Sequence, residues 1–285
     1  MKVSRIVCIL MVLWIAAFSA FADQVPKDNW AKIGDAKLRY YDIGNSKAKS
    51  ALVFVHCWTC NAEFWKDSYS KFPNYRVIVL DLPGHGKSDK PNITYSMEYF
   101  ARAVNAVLEH AGVTKAVLVG HSMGTPVIRR YFELYPQKTI ALVVVDGALI
   151  PLGPRDQMEK FFEPLSKDYK TAAANMIDGM LQPAQPSVKP FVRSAMLETP
   201  DYVGAGAAKG MLEDAYAEHG KITVPLLAVM APSPYWPKDL KEQYTVIAPA
   251  IEFHMFDGVS HFVMLDKPKE FNDALAAFIV KNKLL

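Results

Sequence analysis

Gly120-His121-Ser122-Met123-Gly124 is the stretch whose reading decides the fold. It follows an apolar run of strand length, Ala116 to Val119, and leads into a helical pattern that runs from Met123 to Tyr135. A serine at the tip of such a strand-turn-helix bend has its hydroxyl forced outward by a tight, strained backbone. Glycines on either side remove side chains that would clash with the bend. Pro126 falls in the first turn of the helix, where a missing N–H is tolerated. The pattern G-x-S-x-G is common by chance, and its position between strand and helix is what makes it informative.

Outward from that bend, apolar runs alternate with helical patterns. Ala51 to Val55, Val77 to Leu80, Ala116 to Val119 and Ala141 to Val145 are rich in Val, Leu and Ile, as strands buried on both faces of a parallel sheet are. Leu226 to Met230 and Ile251 to Met255 continue the series, with helical segments at Ser96 to His110 and Pro268 to Lys281. Two further short strands, Trp30 to Ile33 and Lys37 to Asp42, meet at a Gly34-Asp35 turn. Repeated β-α units predict an α/β fold with a doubly wound, mostly parallel sheet.

Residues 151–220 break the alternation. They carry helical patterns at Gln157 to Leu165, Tyr169 to Leu181 and Ala207 to Glu218, separated by Pro183, Pro186 and Pro190. This insertion reads as a helical cap over the carboxyl edge of the sheet, where open α/β sheets bind ligands. Residues 23–150 and 221–285 are then the two parts of the core.

A serine hydroxyl is a poor nucleophile until a base removes its proton. Of seven histidines, His261 is the best placed, in a loop between the last strand and the final helix. His121 belongs to the bend, and its ring is expected to point away from the site. An imidazole base needs an acid to hold its tautomer. Asp146, at the end of the run Ala141 to Val145, can reach the same edge and gives the chain order Ser, Asp, His. Its competing role is to cap the following turn.

The bend, the His261 loop and the stretch Asp81-Leu82-Pro83-Gly84-His85-Gly86-Lys87-Ser88 together resemble the α/β-hydrolase fold family, nearest to bacterial serine esterases with a helical cap. The resemblance runs from about residue 30 to 283 and is specific for fold rather than for substrate. It implies acyl transfer through Ser122, with no cofactor and no metal, and an oxyanion hole built from the backbone N–H groups of Trp58 and Met123. It argues against haloalkane dehalogenases and epoxide hydrolases, which carry aspartate at the nucleophile position. The chain departs from the family pattern twice. Most members place the acid shortly after the strand that here ends at Met230, yet Ala231 to Pro237 contains no carboxylate, and the next is Asp239. Some relatives carry the acid one strand earlier, which maps onto Asp146, with Asp239 as the alternative. The oxyanion loop reads His56-Cys57-Trp58-Thr59-Cys60, with cysteine where glycine is usual. A Cys57–Cys60 bridge and two free thiols both remain open, and a bridge would fix the loop.

The 285-residue chain is 51% hydrophobic and 21% charged, enough for one large core domain with an insertion. A net charge of +3 without a basic cluster excludes a nucleic-acid footprint and points to a small, weakly charged partner, with an apolar acyl group the expected ligand. Phe161, Phe162, Met176, Met180 and Phe191 in the cap suit such a group, or form the cap's own core. Residues 1–22 have the build of a secretory signal peptide: Lys2 and Arg5, the uncharged run Ile6 to Phe18, then Ala20-Phe21-Ala22. A secreted or periplasmic chain is expected, with no stable membrane insertion once the signal is cleaved, and an N-terminal anchor as the alternative. An acyltransferase or carbon–carbon bond hydrolase would use the same residues, and a ligand-binding protein on a hydrolase scaffold would use neither Ser122 nor His261 for chemistry.

Overall fold

The apolar runs become strands because they are sheltered on both faces. Leu52 to Val55, Val77 to Leu80 and Val143 to Val145 have no exposed surface. In the computed structural model, which describes residues 26–285, eight strands form one sheet: β1 (Asn29–Ile33), β2 (Ala36–Ile43), β3 (Ser50–Val55), β4 (Val77–Leu80), β5 (Lys115–His121), β6 (Thr139–Val145), β7 (Leu226–Met230) and β8 (Ile251–Met255). Their order is β1-β2-β4-β3-β5-β6-β7-β8. β1 and β2 pair antiparallel and β2 runs antiparallel to β4, while all later neighbours are parallel. The expected signal segment lies outside the described residues. No helix among those described is long and apolar enough to cross a membrane.

The strand order reverses around β3, because the chain passes from β3 to β4 on one side and returns to β5 on the other. Loops leaving β3 and β5 therefore diverge and open a crevice at their carboxyl ends. Register keeps those ends level: Val55 lies opposite Gly120, His121 opposite Val145, and Val145 opposite Val229.

Helices α1 (Met97–His110), α2 (Gly124–Leu134) and α10 (Pro268–Lys281) connect or follow the strands. Ser96 caps α1 by accepting from the Tyr99 N–H. Between β6 and β7 lie five helices: α3 (Arg155–Phe162), α4 (Pro164–Lys167), α5 (Tyr169–Met180), α6 (Val188–Leu197) and α7 (Asp201–Ala215). Two differences from the sequence reading stand out. The expected helix from 207 to 218 starts earlier, after Pro200, and α6 occupies a stretch read as a proline-broken connection. Pro190 is the third residue of α6, where its missing N–H has no intrahelical partner to lose. After β7 come α8 (Leu240–Ile247) and, beyond β8, the short α9 (Val263–Asp266).

The Asp81 to Ser88 motif is a brace. One Asp81 oxygen accepts from the Ala62 N–H at 2.7 Å, and the other accepts from the Lys87 N–H at 2.9 Å. Gly86 has φ +50°, and a Cβ there would strike the Asp81 carboxylate. The motif thereby anchors the 3-10 turn Ala62–Trp65 that follows the loop after β3.

Candidate active site

Ser122 sits between β5 and α2 with φ +52°, a left-handed conformation that a residue with a Cβ adopts only when its surroundings impose it. The flanking glycines are a matter of space. A Cβ on Gly120 would overlap the Gly124 carbonyl, and one on Gly124 would lie 2.6 Å from the Val55 oxygen. The Ser122 N–H donates to the Val145 carbonyl at 2.9 Å, which ties the bend to the end of β6.

Asp146 is the next residue after β6. Its own φ is +41°, its N–H donates to Val229, and its side chain is buried. One carboxylate oxygen accepts from the Ala231 N–H at 2.9 Å and the other from His261 Nδ1 at 2.6 Å. The strand end where the family's acid is usually found thus supplies a backbone donor to Asp146 instead. Asp239 is exposed and accepts from Gln243 Nε2, while His261 Nδ1 is engaged by Asp146.

His261 is held from several sides. Its N–H donates to the Met180 carbonyl at 3.2 Å, and the preceding Ser260 donates both its N–H and its hydroxyl to buried Asp266. Asp266 also accepts from the Gln185 N–H, so the loop and the inserted helices share one carboxylate. With Nδ1 engaged by Asp146, the buried Nε2 has no partner. Asp146 and His261 thus meet at the end of β6, and Ser122 lies at the end of the neighbouring β5, its hydroxyl not hydrogen-bonded to His261 Nε2.

The His121 ring does not point away as expected. It lies against the His261 ring with centroids 4.7 Å apart, and its Nε2–H donates to the His261 carbonyl at 2.8 Å. Burial, reinforced by the neighbouring His261, holds the His121 imidazole well below the usual histidine range. His121 therefore stays neutral and adds no charge beside His261. A polar residue enclosed by apolar strand ends was the available signal, and it concerned packing under His261.

The loop after β3 forms the other wall. His56 donates Nδ1–H to the Cys57 carbonyl and accepts the Leu82 N–H at Nε2, which fixes its tautomer, while burial keeps it neutral. Cys57 and Cys60 are joined in a disulfide. The N–H groups of Trp58 and Met123 have no acceptor among the described residues. Of the cap's apolar residues, Met176, Met180 and Phe191 pack partly buried against the core, whereas Phe161 is exposed and packs its edge against Phe162 and Tyr235.

A family model described as "Alpha/beta hydrolase family" matches residues 52–274. A bifunctional esterase/perhydrolase of Acinetobacter calcoaceticus is 34% identical over 115 residues, 40% of this chain and 41% of that protein. The chain spans less than half the length of this and other curated relatives it matches at comparable identity. A 2-hydroxy-6-oxononadienedioate/2-hydroxy-6-oxononatrienedioate hydrolase of Paraburkholderia phymatum is 26% identical over 272 residues, 86% of this chain and 92% of its own. Among solved structures, a thermophilic esterase from Thermogutta terrifontis superposes with a TM-score of 0.76 at 21% identity, covering 90% of this chain and 99% of that one. At that identity the likeness is one of fold.

Proposed function

Because the chain belongs to the alpha/beta hydrolase family, we propose that it is a serine hydrolase that cleaves a carboxylic ester, or a related lactone or thioester, through an acyl-enzyme on Ser122. One observation carries this reading: an imidazole fixed at Nδ1 by Asp146, with Nε2 unengaged, at the same sheet edge as a serine in a left-handed bend.

The chemistry follows from those atoms. The Ser122 hydroxyl attacks the substrate carbonyl while His261 Nε2 takes its proton, and Asp146 holds the imidazolium that forms. The oxyanion accepts from the Trp58 and Met123 N–H groups. A donor of this kind lowers the barrier by about 3 kcal/mol, because it binds charge that appears only in the transition state. Collapse expels the alcohol, which takes the proton from His261, and water then releases the acid by the same steps. Met176, Met180 and Phe191 favour an apolar acyl group.

A fluorophosphonate probe tests the nucleophile, and p-nitrophenyl esters of increasing acyl length test the reaction. Labelling at Ser122 and ester turnover, both lost in Ser122→Ala, are the expected results. A folded chain that is neither labelled nor active overturns the proposal and favours a ligand-binding role. The near full-length likeness to the Paraburkholderia hydrolase supports a second reading, carbon–carbon bond hydrolysis on the same residues. Product analysis with a 2-hydroxy-6-oxo-dienoate beside the esters separates the two.

A further inference from the structure

Cys57 to Cys60 form a four-residue turn closed by the Cys60 N–H on the Cys57 carbonyl at 3.2 Å. Thr59, its third residue, has φ +56°. That position in a type II turn is normally glycine, and a β-branched residue there is an outlier that the surroundings must enforce. Backbone strain held at a site is a pointer to function. Thr59 is 1% exposed, and its hydroxyl has no hydrogen-bond partner, so its own side chain does not stabilise the turn.

Two things hold it. Inside the turn is the Cys57–Cys60 disulfide. From outside, the inserted helices reach down with two hydrogen bonds. Thr199, in the connection between α6 and α7, donates its hydroxyl to the Thr59 carbonyl at 3.0 Å. The Trp58 indole N–H donates to the Gly204 carbonyl in α7 at 2.7 Å. The turn therefore carries a backbone N–H assigned above to the oxyanion, and side chains and carbonyls that grip the cap.

We propose that Thr199 is a positioning residue: seated in the cap, it holds Thr59 in its left-handed conformation and so aims the Trp58 N–H at the oxyanion. The Thr199 bond fixes the chain on the carbonyl side of Thr59, and the Trp58 indole bond to Gly204 fixes it on the other side. Relaxation of Thr59 toward negative φ rotates one side of its N–Cα bond against the other. With Thr199 in place it must break one of these ties, and without Thr199 it redirects the turn that carries the Trp58 N–H. Seating of the cap and alignment of the oxyanion donor are then one event. The inference rests on the acyl-transfer reading for its catalytic consequence, while the strap itself can be measured without substrate.

The test is a cycle of Thr199→Val, which keeps shape and removes the donor, with Thr199→Ser and with Thr59→Gly, which makes the left-handed conformation free of strain. A misaimed donor loses part of the 100- to 1000-fold that a deleted one costs, so Thr199→Val is expected to lower kcat about 10-fold with little change in KM. Thr199→Ser restores kcat, and in the Thr59→Gly background the Thr199→Val loss shrinks to less than about 2-fold, since no strain remains to resist. An unchanged kcat, an effect on KM alone, or the same loss in the glycine background overturns the proposal. Hydrogen exchange of the peptide covering residues 56–61 reads the strap directly: faster exchange in Thr199→Val, restored in Thr199→Ser, is expected, and equal exchange in all three overturns it. A chain that cleaves no ester yet shows the exchange pattern refutes the acyl-transfer reading and leaves the strap standing.

Discussion

His121 donates its Nε2–H to the backbone carbonyl of His261, so the residue immediately before the nucleophile holds the main chain of the base. Removing that donor leaves a partly buried carbonyl unpaired, at a cost of about 1 kcal/mol. His121→Leu is therefore expected to melt lower and to lose about 10-fold in kcat as the His261 loop shifts. In His121→Gln the side-chain amide can reach the same carbonyl, and at least half the lost activity should return. Thermal melts and ester kinetics on the two variants check this. Equal losses in both would mean that ring packing, with centroids 4.7 Å apart, matters rather than the hydrogen bond.

Asp146 accepts from His261 Nδ1 with one oxygen and from Ala231 N–H with the other. Asparagine can keep only one of these bonds, because its amide nitrogen donates and would demand the opposite tautomer of His261. That is the tautomer unable to take a proton at Nε2, so kcat in Asp146→Asn should fall about 10⁴-fold with the fold intact. Asp239→Asn only alters an exposed contact with Gln243 and should stay within about 2-fold of the parent. Loss in the second variant and not the first would transfer the acid's role.

The left-handed Ser122 separates activity from stability. Alanine keeps the Cβ and therefore the strain, while glycine removes both. The strain of about 1–2 kcal/mol is partly offset by the extra backbone entropy that glycine loses on folding, about 0.5–1 kcal/mol. Both variants should be inactive, with Ser122→Gly melting about 1–3 °C above Ser122→Ala. Identical melting temperatures would mean that the bend is relaxed around the serine.

What could be read from the chain alone was whatever is local or periodic. The buried strands announced themselves as unbroken apolar runs, and the bend at Ser122 by its place between a strand and a helix. Asp146 could be picked out because it ends the apolar run Ala141 to Val145 and falls between Ser122 and His261 in chain order. The contact of His261 with Asp146 spans 115 positions and could only be inferred from both lying at one edge. Helix α6 was missed because Pro190 reads as a breaker everywhere except in a first turn. C-x-x-C spacing permits a disulfide or two thiols, so the bridge was undecided until the turn was seen. Nothing near Thr199 signals its bond to Thr59, 140 positions away.

His219, on the return from α7 to β7, carries a pH dependence of its own. Its Nδ1 lies 2.8 Å from Glu133 of α2, and its Nε2 faces the Asp214 carboxylate at 3.5 Å, with Arg130 bridging both acids and Arg129 close to Glu133. Hydrogen bonds to Asp214 and then Glu133 outweigh burial and Arg129, and raise the imidazole from 6.5 to about 9. The folded value is above the unfolded one, so the protonated ring favours the folded state. That contribution is complete below pH 6.5 and disappears as the pH rises through about 9. A rise of this size is worth at most about 3 kcal/mol, which solvent screening cuts to about 1 kcal/mol. The melting temperature should therefore exceed that of His219→Gln at pH 6, with the gap closing between pH 7 and 10 as the tie between α7 and α2 loses its charge. Thermal melts of the two proteins across that range decide it, since a gap that persists at pH 10 would belong to packing rather than to the ionised histidine.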